Sequence, residues 1–138
     1  MKVVIDTNIL VSGLIKPTGI AGRVLHRLRM EQFSLVYSDS TLAELARVLS
    51  RPQIQNKYNI TNNDVRTVLQ LIILRGEEVA PTERINVCRD VRDNIFLEVA
   101  IAGQVDALVS GDADLLVLHP FRKIPILTLK QFLTQLDT

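Results

Sequence analysis

Short apolar runs alternate along this chain with segments of helical periodicity, and that alternation leaves few folds open. Lys2–Ile5, Phe33–Tyr37 and Asp106–Ser110 are runs of strand length rich in Val, Leu and Ile. Strands buried on both faces read as such near-continuous apolar runs. Between them, residues 8–15 read as a short helix broken at Pro17 and Gly19. Ile20, Ala21, Val24, Leu25 and Leu28 predict an amphipathic helix over 19–30. Leu42, Leu45, Ala46 and Leu49 place another over Ser38–Ser50, with Pro52 as its stop. Residues 53–59 are a loop or short helix. Thr61-Asn62-Asn63-Asp64 is a helix start. Val65, Val68, Leu69, Ile72 and Ile73 then carry one apolar face, and Gly76 ends it. Glu77–Ala80 reads as an edge strand, Asp93–Ala102 as a helix apolar nearly all round and therefore buried, and Ala113–Leu116 as one turn. Ile124–Leu127 and Leu129–Leu136 are the last strand and helix. Strands alternating with helices predict an α/β fold, a parallel sheet covered on both faces. No repeat or linker interrupts it, so residues 1–138 read as one domain.

Composition narrows the function classes. Aromatics make up 4% of the chain and Trp is absent, so the core is aliphatic. That argues against a stacking platform for single-stranded nucleic acid. Cys88 is the only cysteine, which excludes an internal disulfide and a paired-cysteine metal site. It reads as a small buried thiol. No export signal and no apolar run of membrane-spanning length stand in the sequence, so the expected compartment is the cytoplasm, with no membrane partner. Net charge is +1, but it is divided unevenly. Residues 1–58 hold eight Lys/Arg against four Asp/Glu, and residues 59–138 hold eight against eleven. Arg23, Arg27, Arg29, Arg47, Arg51 and Lys57 all fall in the first part. They offer a grip for a polyanion, or an ordinary solvated surface.

Four acids carry the functional reading. Asp6 ends the first strand, Glu44 lies early in a helix, Asp93 opens a helix, and Asp112 follows the Asp106–Ser110 strand. Each has a structural alternative. Asp6, Asp93 and Asp112 are all suited to cap the helix that follows. Thr41-x-x-Glu44 matches a capping box; alternatively Ser38 or Asp39 caps, and Glu44 lies a full turn inside, among Leu42, Leu45 and Ala46. In parallel sheets, however, ligands bind beyond the carboxyl ends of the strands, where Asp6 and Asp112 fall. Carboxylates gathered there without interleaved cations raise one another's pKa, and a metal relieves that repulsion. An all-oxygen donor set suits Mg²⁺ or Mn²⁺ better than zinc. Such ions polarise phosphoryl oxygens and activate water, which points to a phosphodiester substrate. Asn8 and Ser110 stand beside two of the acids, placed to orient water or a phosphate oxygen. Asp114, two residues past Asp112, points to the same space or to solvent. The chain contains no Walker loop, GxGxxG, HExxH or GxSxG.

VVIDTN, a helical Glu, CRDVRDNIFLEVA and VSGDADLL together resemble the PIN domain, and more narrowly the small bacterial toxins of toxin–antitoxin pairs. The resemblance spans essentially the whole chain. It implies a three-layer α/β/α sandwich and metal-dependent ribonuclease activity. It matches the family's acids to Asp6, Glu44, Asp93 and Asp112, its accessory polar positions to Asn8 and Ser110, and a less regular acid to Asp114. It also implies RNA as substrate, an antitoxin protein as partner, and self-association. Two other readings compete. One is an aspartate phosphoacceptor or phosphatase, which wants an acid where this chain has Asn8. The other is a non-catalytic RNA- or protein-binding module. Approach of Asp93 to Asp6 and Asp112 discriminates for the nuclease.

Overall fold

The computed structural model describes residues 1–138. Its centre is one five-stranded sheet, β1 (Lys2–Ile5), β2 (Ser34–Tyr37), β3 (Gly76–Glu78), β4 (Ala107–Val109) and β5 (Ile126–Leu127). The spatial order is β3-β2-β1-β4-β5, and every pairing is parallel. The sheet is therefore α/β with helices on both faces, a three-layer sandwich. The order also differs from the 2-1-3-4-5 order of flavodoxin-like and receiver domains, which counts against the phosphoacceptor reading.

Alternation along the strands decides which layer each side chain joins. Val3, Ile5, Leu35, Tyr37 and Val109 face one layer. It is built from α1 (Thr7–Ile15), α2 (Ile20–Arg29), α3 (Asp39–Leu49), α5 (Asn62–Arg75) and α8 (Leu129–Leu136). Val4, Val36 and Leu108 face the other, against α6 (Asn94–Ala102) and α7 (Ala113–Leu116). The larger layer closes on Phe132, fully buried, with its ring edge-on to Phe33 at 5.1 Å. Close packing of α1 on α2 depends on Gly13: a Cβ there would lie 2.8 Å from the Ala21 carbonyl oxygen. That contact seats α1, whose N-terminus carries the first acid of the site.

Several expectations shift at their edges. Pro52 does not only stop α3; it opens α4 (Pro52–Tyr58) at a position where its missing N–H costs nothing. Gly76 leaves the helix in an extended conformation and is the first residue of β3. That strand is the sheet edge, as expected, but ends at Glu78 rather than Ala80. Ile73 lies on the predicted apolar face of α5 yet is 55% exposed; the buried stripe is Val65, Val68 and Ile72. The helix expected from Asp93 begins at Asn94, after a 3₁₀ turn over Val91–Asp93. No helix is long and apolar enough to cross a membrane.

From β1 the chain builds outward to β2 and β3, then returns to the other side of β1 for β4 and β5. The carboxyl ends of β1 and β4 therefore flank the point where the winding reverses. Open parallel sheets bind ligands in the crevice at such a point.

Candidate metal centre

Asp6 leaves β1 with its N–H still in the sheet, donating to the Val109 carbonyl at 3.0 Å. Its side chain then does two jobs. Oδ1 caps α1 by accepting from the Ile9 N–H at 3.0 Å. Oδ2 accepts from the Ser110 hydroxyl and from the Gly111 N–H at 3.2 Å. Asp6 is thus tied to the loop after β4. It is 4% exposed. Burial raises its carboxyl above the ordinary range; the Ser110, Ile9 and Gly111 hydrogen bonds oppose the rise, and the nearby Asp112 charge adds to it.

Ser110, fully buried, joins two acids. Its hydroxyl donates to Asp6 and accepts from the Asp112 N–H at 2.9 Å. Asp112 in turn caps α7, Oδ1 accepting from the Asp114 N–H at 2.9 Å. The capping expectation holds for Asp6 and Asp112, and in both a carboxylate oxygen remains beyond the cap.

For Asp93 the capping expectation fails. Its backbone is already helical, at φ −79° and ψ −15°, and its side chain makes no cap bond. Asp90 caps the 3₁₀ turn instead, accepting from the Arg92 N–H at 3.0 Å. Asp93 Oδ2 is buried with no donor anywhere in the chain. Its carboxyl is pushed up to about 7, first by burial, then by a hydrogen bond shared with Asp112 and by the charges of Asp112, Asp90 and Asp114. Two carboxylates facing each other need a proton or a cation between them. Ligand oxygens of Asp93, Asp112 and Asp114 all lie within 4.8 Å of one another. Asp114 is therefore in the close group itself, with its Oδ1 also held by Arg89 Nε at 3.0 Å.

Glu44 stands apart from that group. The capping box at the start of α3 pairs Ser38 with Thr41, not Thr41 with Glu44. Glu44 lies inside the helix and receives a two-pronged bond from Arg47, Nη2 to Oε1 at 2.8 Å and Nε to Oε2 at 3.1 Å. Its charge meets a cation of the same helix. The acids are thus not free of interleaved cations, as the sequence suggested: Arg47 sits on Glu44, Arg92 on Asp90 and Arg89 on Asp114.

These side chains open onto one cleft of about 240 Å³. Asp6, Asn8, Glu44, Asp93 and Asp112 line it, together with Arg47, Arg51 and Arg92. Asn8 is exposed there, whereas Ser110 lies beneath the surface and acts through Asp6 and Asp112. Every donor in the close group is a carboxylate oxygen, the ligand type of hard divalent cations. The donorless Asp93 oxygen fits such an ion.

Sequence reasoning missed Asn94. It is 5% exposed at the start of α6. Its Oδ1 accepts from the N–H groups of Val87 and Cys88, at 3.2 and 3.0 Å, and its Nδ2 donates to the Val91 carbonyl at 3.0 Å. Asn94 thereby pins the loop that delivers Asp93. A polar amide heading an otherwise apolar helix was the available clue. Cys88, beside it, is buried as expected, and burial followed by the charges of Asp93, Asp112, Asp114 and Asp90 pushes its thiol up to about 11.

Comparison with known proteins follows the same lines. The PIN domain profile matches residues 2–114. An uncharacterized protein of Methanocaldococcus jannaschii is 34% identical over 123 residues, which cover 89% of this chain and 78% of that relative. Among solved structures, VapBC2 from Rickettsia felis, crystallised with a DNA fragment from its promoter, superposes with a TM-score of 0.61. That match covers 93% of this chain and 98% of the other at 16% identity, a likeness of fold.

Proposed function

The chain belongs to the PIN domain family, and from that premise we propose that it is a divalent-metal-dependent endoribonuclease of a single domain. The observation that carries the reading is the Asp93–Asp112–Asp114 group, close-set carboxylates with a buried oxygen that no donor satisfies; Asp93 and Asp112 open onto the cleft that Asp6 also lines. Asp93, Asp112 and Asp6 would hold Mg²⁺ or Mn²⁺, with Glu44 on the same cleft and Asp114 beside Asp93 and Asp112 as further candidates. A cation held there would neutralise charge and polarise water and the phosphoryl oxygen. The chain's own part is positional. Ser110 holds Asp6 and Asp112 at a fixed separation, and Asn94 holds the Asp93 loop. Asn8, exposed on the cleft wall, is placed to orient water or a phosphate oxygen. The fold shared with a VapBC2 chain supports a toxin role in a toxin–antitoxin pair, acting in the cytoplasm and bound by an antitoxin protein or by a second copy of itself.

The test is Mn²⁺-dependent cleavage of single-stranded RNA, stopped by chelation. Asp6→Asn and Asp93→Asn should each lower the rate more than about a hundredfold, beyond what losing an outer partner of a metal ligand costs. Both should retain a cooperative melting transition. Full activity in both variants would sink the assignment.

A further inference from the structure

The cleft that gathers the acids also carries three guanidinium groups, and they are not equivalent. Arg47 is bound to Glu44 and Arg92 to Asp90. Arg51 lines the same cleft but takes part in none of the chain's seven ion pairs. Glu44 and Arg47 lie on α3, whereas Arg51 stands past its end at Leu49, as the extended residue that opens α4; all three line the cleft.

The corner that bears Arg51 is stiff. Its N–H donates to the Val48 carbonyl at 3.2 Å, and its own carbonyl accepts from the N–H groups of Ile54 and Gln55, both at 3.0 Å. Pro52 fixes the next residue at the start of α4. A free guanidinium on a rigid corner loses little backbone freedom when it binds, and its planar fork suits phosphate oxygens.

We infer that Arg51, with Arg47 behind it, forms a phosphate subsite at the α3–α4 corner. It grips a backbone phosphate of a single-stranded RNA whose reacting bond is held at the acids of the same cleft. The inference rests on the nuclease reading for the identity of the strand. Arg51 is then a binding residue that favours an extended strand over a short diester. It contributes through charge and geometry and reads no base, so it acts alike on all sequences.

The probe is a fluorescein-labelled 12-nucleotide single-stranded RNA, followed by anisotropy with the Asp93→Asn protein so that no strand is cut. Adding Arg51→Ala should raise Kd about tenfold at 50 mM salt. It should also flatten the dependence of log Kd on log salt by about 0.7, one phosphate contact on a single strand. Arg51→Lys should recover most of the loss. Arg66→Ala removes the same charge from the exposed face of α5, outside the cleft, and should stay within twofold. Equal effects from Arg51→Ala and Arg66→Ala, or an unchanged salt slope, would overturn the subsite. The nuclease reading is judged separately: if wild-type protein with Mn²⁺ cuts no RNA, that reading fails, while the binding series still decides Arg51.

Discussion

Replacing Asp93 by Asn should make the metal-free protein more stable at alkaline pH while removing its response to metal. Asp93 carries its proton up to about pH 7 in the folded chain, against an ordinary value of 3.8. An acid whose folded pKa is raised binds more protons folded than unfolded between those two values. Stability therefore falls as pH rises from about 4 to about 7, and the full penalty is present above 7. The shift from 3.8 to about 7 corresponds to a ceiling of about 4 kcal/mol at 1.36 kcal/mol per unit. Asp93 is only half-buried, so water screens much of this, leaving roughly 1–2 kcal/mol. Asparagine is neutral at every pH and can donate to Asp112 as the protonated acid does. For a chain of this size the gain corresponds to a rise in Tm of about 3–8 °C at pH 8. At pH 5 the two proteins should differ little. Differential scanning calorimetry in EDTA at pH 5, 6.5 and 8 measures this directly, and Mn²⁺ added at pH 8 should raise the wild-type Tm alone. The acids Asp112, Asp90 and Asp114 raise Asp93; Arg92 also feels its charge but is bound to Asp90, and the net shift stays upward, so the sign holds. A variant less stable than wild type at pH 8, or a wild-type Tm flat from pH 5 to 8, would refute the reasoning.

Ser110→Ala removes a donor to Asp6 and an acceptor for the Asp112 N–H at one stroke. It should cost about 1–3 kcal/mol of stability by urea unfolding and weaken Mn²⁺ binding about 10- to 100-fold by titration calorimetry. Asn94→Ala leaves the Val87 N–H and the buried Cys88 N–H without their acceptor. A loss of about 2–4 kcal/mol follows, and amide exchange should quicken over residues 85–93 before it does in the sheet. Glu44→Gln separates a ligand from an ion-pair partner. A ligand role predicts weaker metal binding with little change in metal-free Tm, whereas unchanged Mn²⁺ affinity would leave Glu44 only its pair with Arg47.

The layering was legible because it is written locally. Val and Leu runs mark strands that are buried on both faces, and Thr61 and Asp64 cap α5 with the reciprocal bonds their spacing promised. Leu129–Leu136 matches to the residue because another such box, Thr128 with Gln131, fixes its start. What was not legible depends on tertiary placement. Nothing near Gly76 or Ala107 tells the chain that β4 must cross from the sheet edge to the far side of β1. Ile73 fits the helical template, but only one narrow stripe of α5 meets the sheet. Glu44 could be read as a cap or as a ligand because the choice lies with neighbours at similar spacing. Ser38 took the cap, and Arg47 took the charge.

The opposition between cap and ligand, which the sequence invites for every acid, dissolves in the structure for two of them. Asp6 caps α1 with one oxygen and meets the loop after β4 with the other; Asp112 caps α7 while facing Asp93. Capping fixes the carboxylate's rotamer, and a fixed rotamer is what a site needs if a cation is to find its ligands in place. Asp93 obeys the opposite rule. It gives up the cap to Asp90 and stands among other acids, with an oxygen nothing satisfies. The strain of the site is thus concentrated in one residue while its neighbours are locked by ordinary helix chemistry. That division explains why Asp93 is where loss of stability and gain of function should trade most directly.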